Sequence, residues 1–402
     1  MSYVEGVIDT VTESSATSRE QSLPGRWLPG RWLPGRSVRW RSVPWTAVGA
    51  FVASRLVVAV AGLIAHQLTP RGPLSQRWDG FWFTYIAQHG YPRTLITPGF
   101  RGPYGRFSEW AFLPGYPLLV RAASAVTRLP VGFTSLAVNA VLGLAASVLL
   151  WRLFAEVAGP ETADRASILF WFFPGSVVLS MAYSEALFLV TASVALLALI
   201  RRQWWLAGIA AAVAGGTRAT GIALVAAAIV AAWPALRRRE WRALAAPLLA
   251  PLGLVAFIVY GGIRTGDYLV WHRAERLWNQ HFDFSAALPG RLVRAFQVGS
   301  QTGSAEALVV ACSVLLVGAA VLFARGERLP RVLGAYLAVT LFLSLADSFV
   351  GPRPRFVLMM LPLFLVAGRA LRGTAYQIVL VVVGSLLPVA TIVYLGAVHG
   401  AP

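Results

Sequence analysis

Long apolar runs recur through the 402 residues of this chain, and most of them end in arginine. A helix needs about 20 apolar residues to cross the hydrocarbon of a bilayer. Inside lipid each backbone N–H and C=O must find its partner within the protein, so apolar runs with no strand alternation read as helices. Composition agrees: 57% of residues are hydrophobic, 13% are charged, and mean hydropathy is +0.64. The expected class is an all-α polytopic membrane protein. The formal charge of +18 is carried by arginine alone, because the sequence contains no lysine. Nucleic-acid binding is set aside: the arginines cluster at the ends of the apolar runs, where they set topology or pair with lipid phosphate. The single cysteine, Cys312, lies inside an apolar run. It has no partner for an intramolecular disulfide, and there is no Cys/His cluster with metal spacing.

The arginine bias gives an order of spans. Residues 1–44 are polar and repetitive, with LPGRW twice in tandem from Leu23 and LPGR from Leu33. Proline and glycine every five residues cannot hold a helix, so a disordered basic tail is expected, cytoplasmic by its arginines. The first span, Trp45–Ala65, would act as an uncleaved anchor. Arg55 sits near its middle, facing either the helix bundle or a lipid phosphate. Residues 66–130 form a first external loop, in which Trp110–Thr127 reads as an interfacial broken helix because Pro114, Pro117 and Arg121 interrupt it. Spans follow at Phe133–Leu153, Ala166–Ala182, Ala186–Leu199 and Trp204–Gly216, then a sixth that returns to Arg237, Arg238 and Arg239, and a seventh at Leu244–Ile263. A second external loop covers 264–302. The last spans are Ala305–Ala324, Val332–Val350, Phe356–Leu371 and Ala375–Val398, for about eleven in all. Residues 45–402 are read as one transmembrane domain.

That topology puts Asp79, Glu185, Arg218, the 264–302 loop and the GPRPR turn at 351–355 on the external side. Charged groups gathering at membrane level on one face suggest a site. The segment Arg77–Tyr91, RWDGFWFTYIAQHGY, sets one carboxylate among Trp78, Phe81, Trp82, Phe83 and Tyr85. A partly desolvated carboxylate beside a surface for sugar or lipid suits a proton acceptor. The bland alternative is a helix start at the interface, with Asp79 at the N-terminal dipole and the aromatics as a belt.

The blocks WDGFWF…IAQHGYP, FLPGYPLLVR, FPGSVVLSMAYSEALFL, TRATGIAL and DYLVWHRAERLW, in this order, resemble the PIG-V-type mannosyltransferases of the GT-C membrane glycosyltransferase superfamily. The resemblance covers roughly residues 46–372. It implies a GT-C-like helical bundle with interfacial helices in the first external loop. It also implies a polyprenyl-phosphate-mannose donor, an extracytoplasmic active site, an inverting reaction, and Asp79 as general base.

The chemistry can be argued on the residues. One in-line attack by an acceptor hydroxyl needs one carboxylate to take its proton. Phosphate leaves as a stable anion, so a second carboxyl acid of the glycosidase kind is not required, and guanidinium groups stabilise the departing charge. Donor binding is assigned to Arg218, Arg353, Arg355, Trp78 and Trp82, and acceptor or sugar contact to Tyr183, Glu185, His272 and Glu275. Arg218 also suits a helix C-terminal cap, Arg353 and Arg355 suit interface snorkelling, and His281 and Asp283 are further acceptor candidates. No cofactor and no metal is expected, since His272 and Glu275 lack a third ligand. The acceptor is open among glycolipid, glycan and protein, and the setting is a multi-pass plasma-membrane protein with a cytoplasmic N-terminus. A donor carrying another sugar, a lipid or solute transporter, and a non-catalytic scaffold are the competing readings. A transporter would need charges along a path through the bilayer and repeat symmetry, and neither is evident in the spans.

Overall fold

The computed structural model describes residues 43–68, 72–97, 107–278, 286, 329–346 and 354–396. The LPGRW tail, the span at Ala305–Ala324 with Cys312, His281, Asp283 and Arg353 lie outside these residues. The described residues are helical and loop, with no strand among them. Apolar helices α1 (Trp45–Leu68), α4 (Val131–Ala158) and α15 (Gly373–Gly396) are each long enough to cross a bilayer, as is Ala219–Leu236, whose regular part is α8 (Ile222–Leu236). By length and composition four described helices qualify, or six if two bent pairs each count as one span. The protein is a multi-pass membrane protein, and the expected total of eleven is not established by these helices.

The sequence-drawn spans differ from the helices at prolines. The Ala166–Ala182 span is two pieces: α5 (Pro160–Phe172) stops before Pro174, and Pro174–Ser180 continues as a 3-10 helix. Proline lacks an N–H and clashes with the preceding turn, so a helix ends there. The chain then turns by 107° into α6 (Glu185–Ile200). Leu244–Ile263 is likewise bent, by 44°, between the segment 241–249, which includes α9 (Ala245–Leu249), and α10 (Leu252–Thr265), with Pro251 at the break. Phe356–Leu371 divides into α13 (Pro354–Leu358) and α14 (Leu361–Ala370), with Pro362 in the first turn of the second piece. Only α7 (Trp204–Gly215) and α12 (Arg331–Ala346) complete the apolar set.

The segment 66–130, expected as a loop, contains α2 (Asp79–His89) and α3 (Gly115–Thr127). At 13 residues α3 is too short to span, as its prolines suggested. The FLPGYP block docks this loop onto the bundle. Gly115 N–H donates to the Gly216 carbonyl at 2.8 Å. A Cβ on Gly115 would stand 2.5 Å from Thr217 Oγ1, so only glycine allows the approach. Tyr116, fully buried, donates from its hydroxyl to the Ser135 carbonyl on α4 at 3.0 Å. The short helix α11 (Val270–Leu277) follows α10 and packs against the 3-10 turn Glu109–Ala111 of the same loop. The core is one large cluster running through α1, α4–α8, α12 and α14–α15, rich in alanine at the helix crossings. Small residues let helices approach closely where lipid offers no hydrophobic driving force between them.

Candidate active site

Helix α2 begins at Asp79 itself. Trp78, at its N-cap, has φ 49° and ψ −124°. A non-glycine residue there costs on the order of 1–3 kcal/mol, and it persists only where its surroundings over-determine it. They do so here: Trp78 is buried, and its Nε1–H donates to the Tyr394 carbonyl on α15 at 3.0 Å. On the other side, a Cβ on Gly80 would stand 2.9 Å from the Ser75 carbonyl. The Asp79 N–H donates to the Tyr183 hydroxyl at 3.4 Å. A carboxylate in the first turn is also favoured by the helix dipole.

The Asp79 carboxylate meets Arg355, with Oδ2 2.5 Å from Nη1. The Arg355 side chain is 7% exposed and that of Asp79 16%. The Arg355 guanidinium lies 5.7 Å from the Tyr183 ring centroid and 4.8 Å from that of Phe356.

A second pair stands beside the first. Glu185 opens α6 with its side chain fully buried, and its Oε1 is 2.6 Å from Arg218 Nη1. Arg218 Nη1 also donates to Ser184 Oγ at 3.2 Å, and its guanidinium lies 5.9 Å from the same Phe356 ring. Arg218 stands where the turn after α7 passes into Ala219–Gly221, the turn against which Gly115 is packed. Among the described residues, the buried Nε–H groups of Arg218 and Arg355 have no acceptor, and neither oxygen of Glu185 completes a well-aligned hydrogen bond. Buried polar atoms without partners are few in folded proteins, and each asks for an explanation.

The structure therefore brings together Asp79, Tyr183, Glu185, Arg218 and Arg355. Tyr183 is fully buried, and it meets Asp79 by its hydroxyl and Arg355 by its ring. Trp78 anchors the backbone before Asp79 and offers no free face. Trp82 is fully buried, stacked on Phe112 at 5.9 Å and edge-on to Trp278 at 5.7 Å. Its ring is a wall of the aromatic cluster and not an open stacking surface. His272 is exposed on α11, while Glu275 accepts from Trp271 Nε1 at 2.9 Å; no described contact joins either to Asp79. Among the described residues no three His, Cys, Asp or Glu side chains gather in a metal-holding group.

Two positioning groups escaped the sequence reading. Asn139, in the middle of α4 and 1% exposed, donates from Nδ2 to the carbonyls of Met181 and Tyr183, the latter at 2.9 Å. It fixes the turn that delivers Tyr183 and Glu185. The signal was available: an amide inside an apolar span faces protein and not lipid. The second is Ser176, which takes two hydrogen bonds from Arg55. Arg55 faces the bundle, the first of its two expected environments.

Residues 44–234 match the family model described as mannosyltransferase (PIG-V). A mouse GPI alpha-1,6-mannosyltransferase 2 is 32% identical over 156 residues, covering 36% of this chain and 29% of the relative. The human protein of the same name is 30% identical over 158 residues, covering 37% and 29%. The match thus spans less than a third of these relatives' length. Among solved structures, ArnT from Cupriavidus metallidurans bound to undecaprenyl phosphate superposes with a TM-score of 0.50 at 15% identity, covering 83% of this chain and 62% of that one. Residues 44–234 of the chain thus resemble the PIG-V-type mannosyltransferases, and its described helices share the fold of ArnT.

Proposed function

We propose that the Asp79 cluster is the active centre of an inverting glycosyltransferase that moves mannose from polyprenyl-phosphate-mannose to an acceptor hydroxyl on the extracytoplasmic face. The observation that carries this reading is the pairing of one carboxylate, 16% exposed at its side chain, with Arg355 and a neighbouring Arg218, whose buried Nε–H donors have no acceptor among the described residues. Those donors fit the oxygens of a phosphate, which arginine holds bidentately. The family match supports a mannosyl donor. The ArnT structure is described as bound to undecaprenyl phosphate, and a donor phosphate of that lipid class is what we propose here.

The reaction balances as one displacement. The acceptor oxygen forms a bond to the anomeric carbon as the bond from that carbon to the phosphate oxygen breaks. The electron pair goes to the phosphate, and the acceptor proton goes to Asp79. In the resting cluster two carboxylates and two guanidinium groups offset one another. An arriving phosphodiester adds one negative charge and competes with Asp79 for Arg355. As Arg355 turns to the phosphate, the Asp79 oxygen is released to take a proton. Arg218, held by Glu185 and Ser184, meets the charge that builds on the leaving phosphate.

General-base assistance is typically worth 10²–10⁴-fold, roughly 3–5 kcal/mol of barrier. Transfer of radiolabelled mannose from polyprenyl-phosphate-mannose into membranes of a strain lacking the gene, by reconstituted protein, tests the reading. Wild type should label a product, and Asp79→Asn should do so at least 100-fold more slowly per folded molecule. Transfer by the variant within a few-fold of wild type refutes the assignment.

A further inference from the structure

Arg55 lies in the middle of α1, a helix long and apolar enough to span the bilayer. A cation at such depth costs about 2.5–3.5 kcal/mol on insertion scales, and in known membrane proteins such groups carry a function. The described partners of Arg55 are all uncharged: the guanidinium lies 6.0 Å from the Trp171 ring centroid, and its hydrogen bonds go to serine groups. Nη1 donates to the Ser176 carbonyl at 2.7 Å and to Ser180 Oγ at 2.8 Å, and Nη2 donates to Ser176 Oγ at 2.8 Å. Nε adds a longer bond, 3.4 Å, to Ser54 Oγ. Ser176 Oγ passes its own proton on to the Trp171 carbonyl at 2.8 Å, near the end of α5.

The segment so gripped is the 3-10 helix Pro174–Ser180. It runs for 7 residues, whereas 3-10 hydrogen bonds are poorly aligned and runs beyond about 3–4 residues are uncommon. It therefore relies on outside support, and Arg55 gives three bonds to it. Its other side touches the site directly. A Cβ on Gly175 would stand 2.2 Å from the Pro354 carbonyl and 3.0 Å from the Arg355 nitrogen. The two backbones are in contact at the residue that pairs with Asp79. Three residues beyond its end, Tyr183 meets both Asp79 and Arg355.

The geometry points to Arg55 as a positioning residue: its guanidinium fork holds the Pro174–Ser180 segment, and that segment sets the backbone of Arg355 and the approach of Tyr183 to Asp79. This inference rests on the reading above, its transfer readout on the proposed chemistry and its affinity readout on the proposed lipid-phosphate donor. Lysine keeps the charge and cannot span three acceptors, so Arg55→Lys loosens the segment. Gly175→Ala pushes on the Arg355 backbone from the same contact. A misplacement of about 1 Å at a reacting group can cost 10²-fold.

The test is two readouts in nanodiscs: affinity for undecaprenyl phosphate, and mannose transfer per folded molecule. Arg55→Lys and Gly175→Ala should each weaken undecaprenyl phosphate binding about tenfold and slow transfer by at least that factor, roughly 1.4 kcal/mol. In an Arg355→Ala background, whose residual binding falls to Arg218, Arg55→Lys should change affinity by less than about twofold, because its effect travels through Arg355. Ser180→Ala, which removes one of the three bonds, serves if Arg55→Lys does not fold, and should act in the same direction. Wild-type affinity and transfer in Arg55→Lys, or a full tenfold effect in the Arg355→Ala background, overturn the inference. Transfer that Asp79→Asn abolishes but Arg55→Lys leaves intact sinks this inference alone. Transfer untouched by Asp79→Asn sinks the transferase reading, and the affinity readout then decides Arg55 by itself.

Discussion

The two ends of α6 carry ion pairs of equal length and opposite character. At its N-terminus Glu185 meets Arg218 at 2.6 Å, with side chains 0% and 13% exposed. Just past its C-terminus, where the C-cap residue Arg201 pairs with Glu156, about 24 Å away by helical rise, Arg202 meets Glu240 at 2.6 Å, with side chains 47% and 41% exposed. The distance is the same, so distance does not tell the two apart. Water does. An exposed pair gains little, because solvent screens it and two long side chains lose freedom to form it. A buried pair is held at a desolvation cost that stability alone does not explain. The Asp79 cluster also joins residues far apart in sequence, Asp79 to Arg355 across 276 positions, while Arg202 and Glu240 lie in turns between successive helices. Buried charge assembled from distant segments marks a place where the fold does work for a ligand.

Breaking the buried pair should have the largest effect on stability. Glu185→Gln leaves Arg218 buried without its counter-charge, a loss of about 3–5 kcal/mol. Thermal unfolding in detergent should register this as a clear fall in melting temperature, accompanied by loss of transfer. A smaller loss is expected for Asn139→Ala. It strips two hydrogen bonds from the carbonyls of Met181 and Tyr183, roughly 1–3 kcal/mol for buried acceptors left unmade. Transfer should fall further than stability, because the turn it supports carries Tyr183 and Glu185. At the bottom of the scale, Arg202→Ala should cost about 0–1 kcal/mol and leave transfer per folded molecule at the wild-type level. A loss there as large as that of Glu185→Gln would erase the contrast between the two ends of α6.

How legible this was follows from the residues. In so apolar a chain a charged side chain stands out, and that is why Asp79, Glu185, Arg218 and Arg355 could be singled out. Their pairing could not be read, because no local pattern says that a residue at 355 returns to one at 79. The aromatic neighbours misled for a related reason: Trp82 sits in an aromatic-rich segment in either case, and only packing against Phe112 and Trp278 buries it. Helix class was plain from the apolar runs. Pro174 divided the expected Ala166–Ala182 span between α5 and a 3-10 piece, and Pro251 bent the expected Leu244–Ile263 span, since hydropathy sums over a window and ignores a missing N–H. Asn139 and Ser176 went unremarked because their meaning depends on carbonyls and a guanidinium supplied by other helices.

The comparison also separates two roles for Asp79, counter-ion and base. Asp79→Asn removes both, and it leaves Arg355 buried with its charge uncompensated. Asp79→Asn/Arg355→Gln removes the stranded charge as well. The decisive measurement is mannose transfer per folded molecule by this double variant, with its melting temperature taken alongside. A base at Asp79 requires stability to recover toward wild type while transfer stays at the level of Asp79→Asn. Transfer by the double variant equal to that of Arg355→Gln alone, which loses the phosphate contact but keeps the carboxylate, would mean that the carboxylate serves only to balance Arg355, and the proposed chemistry would be wrong.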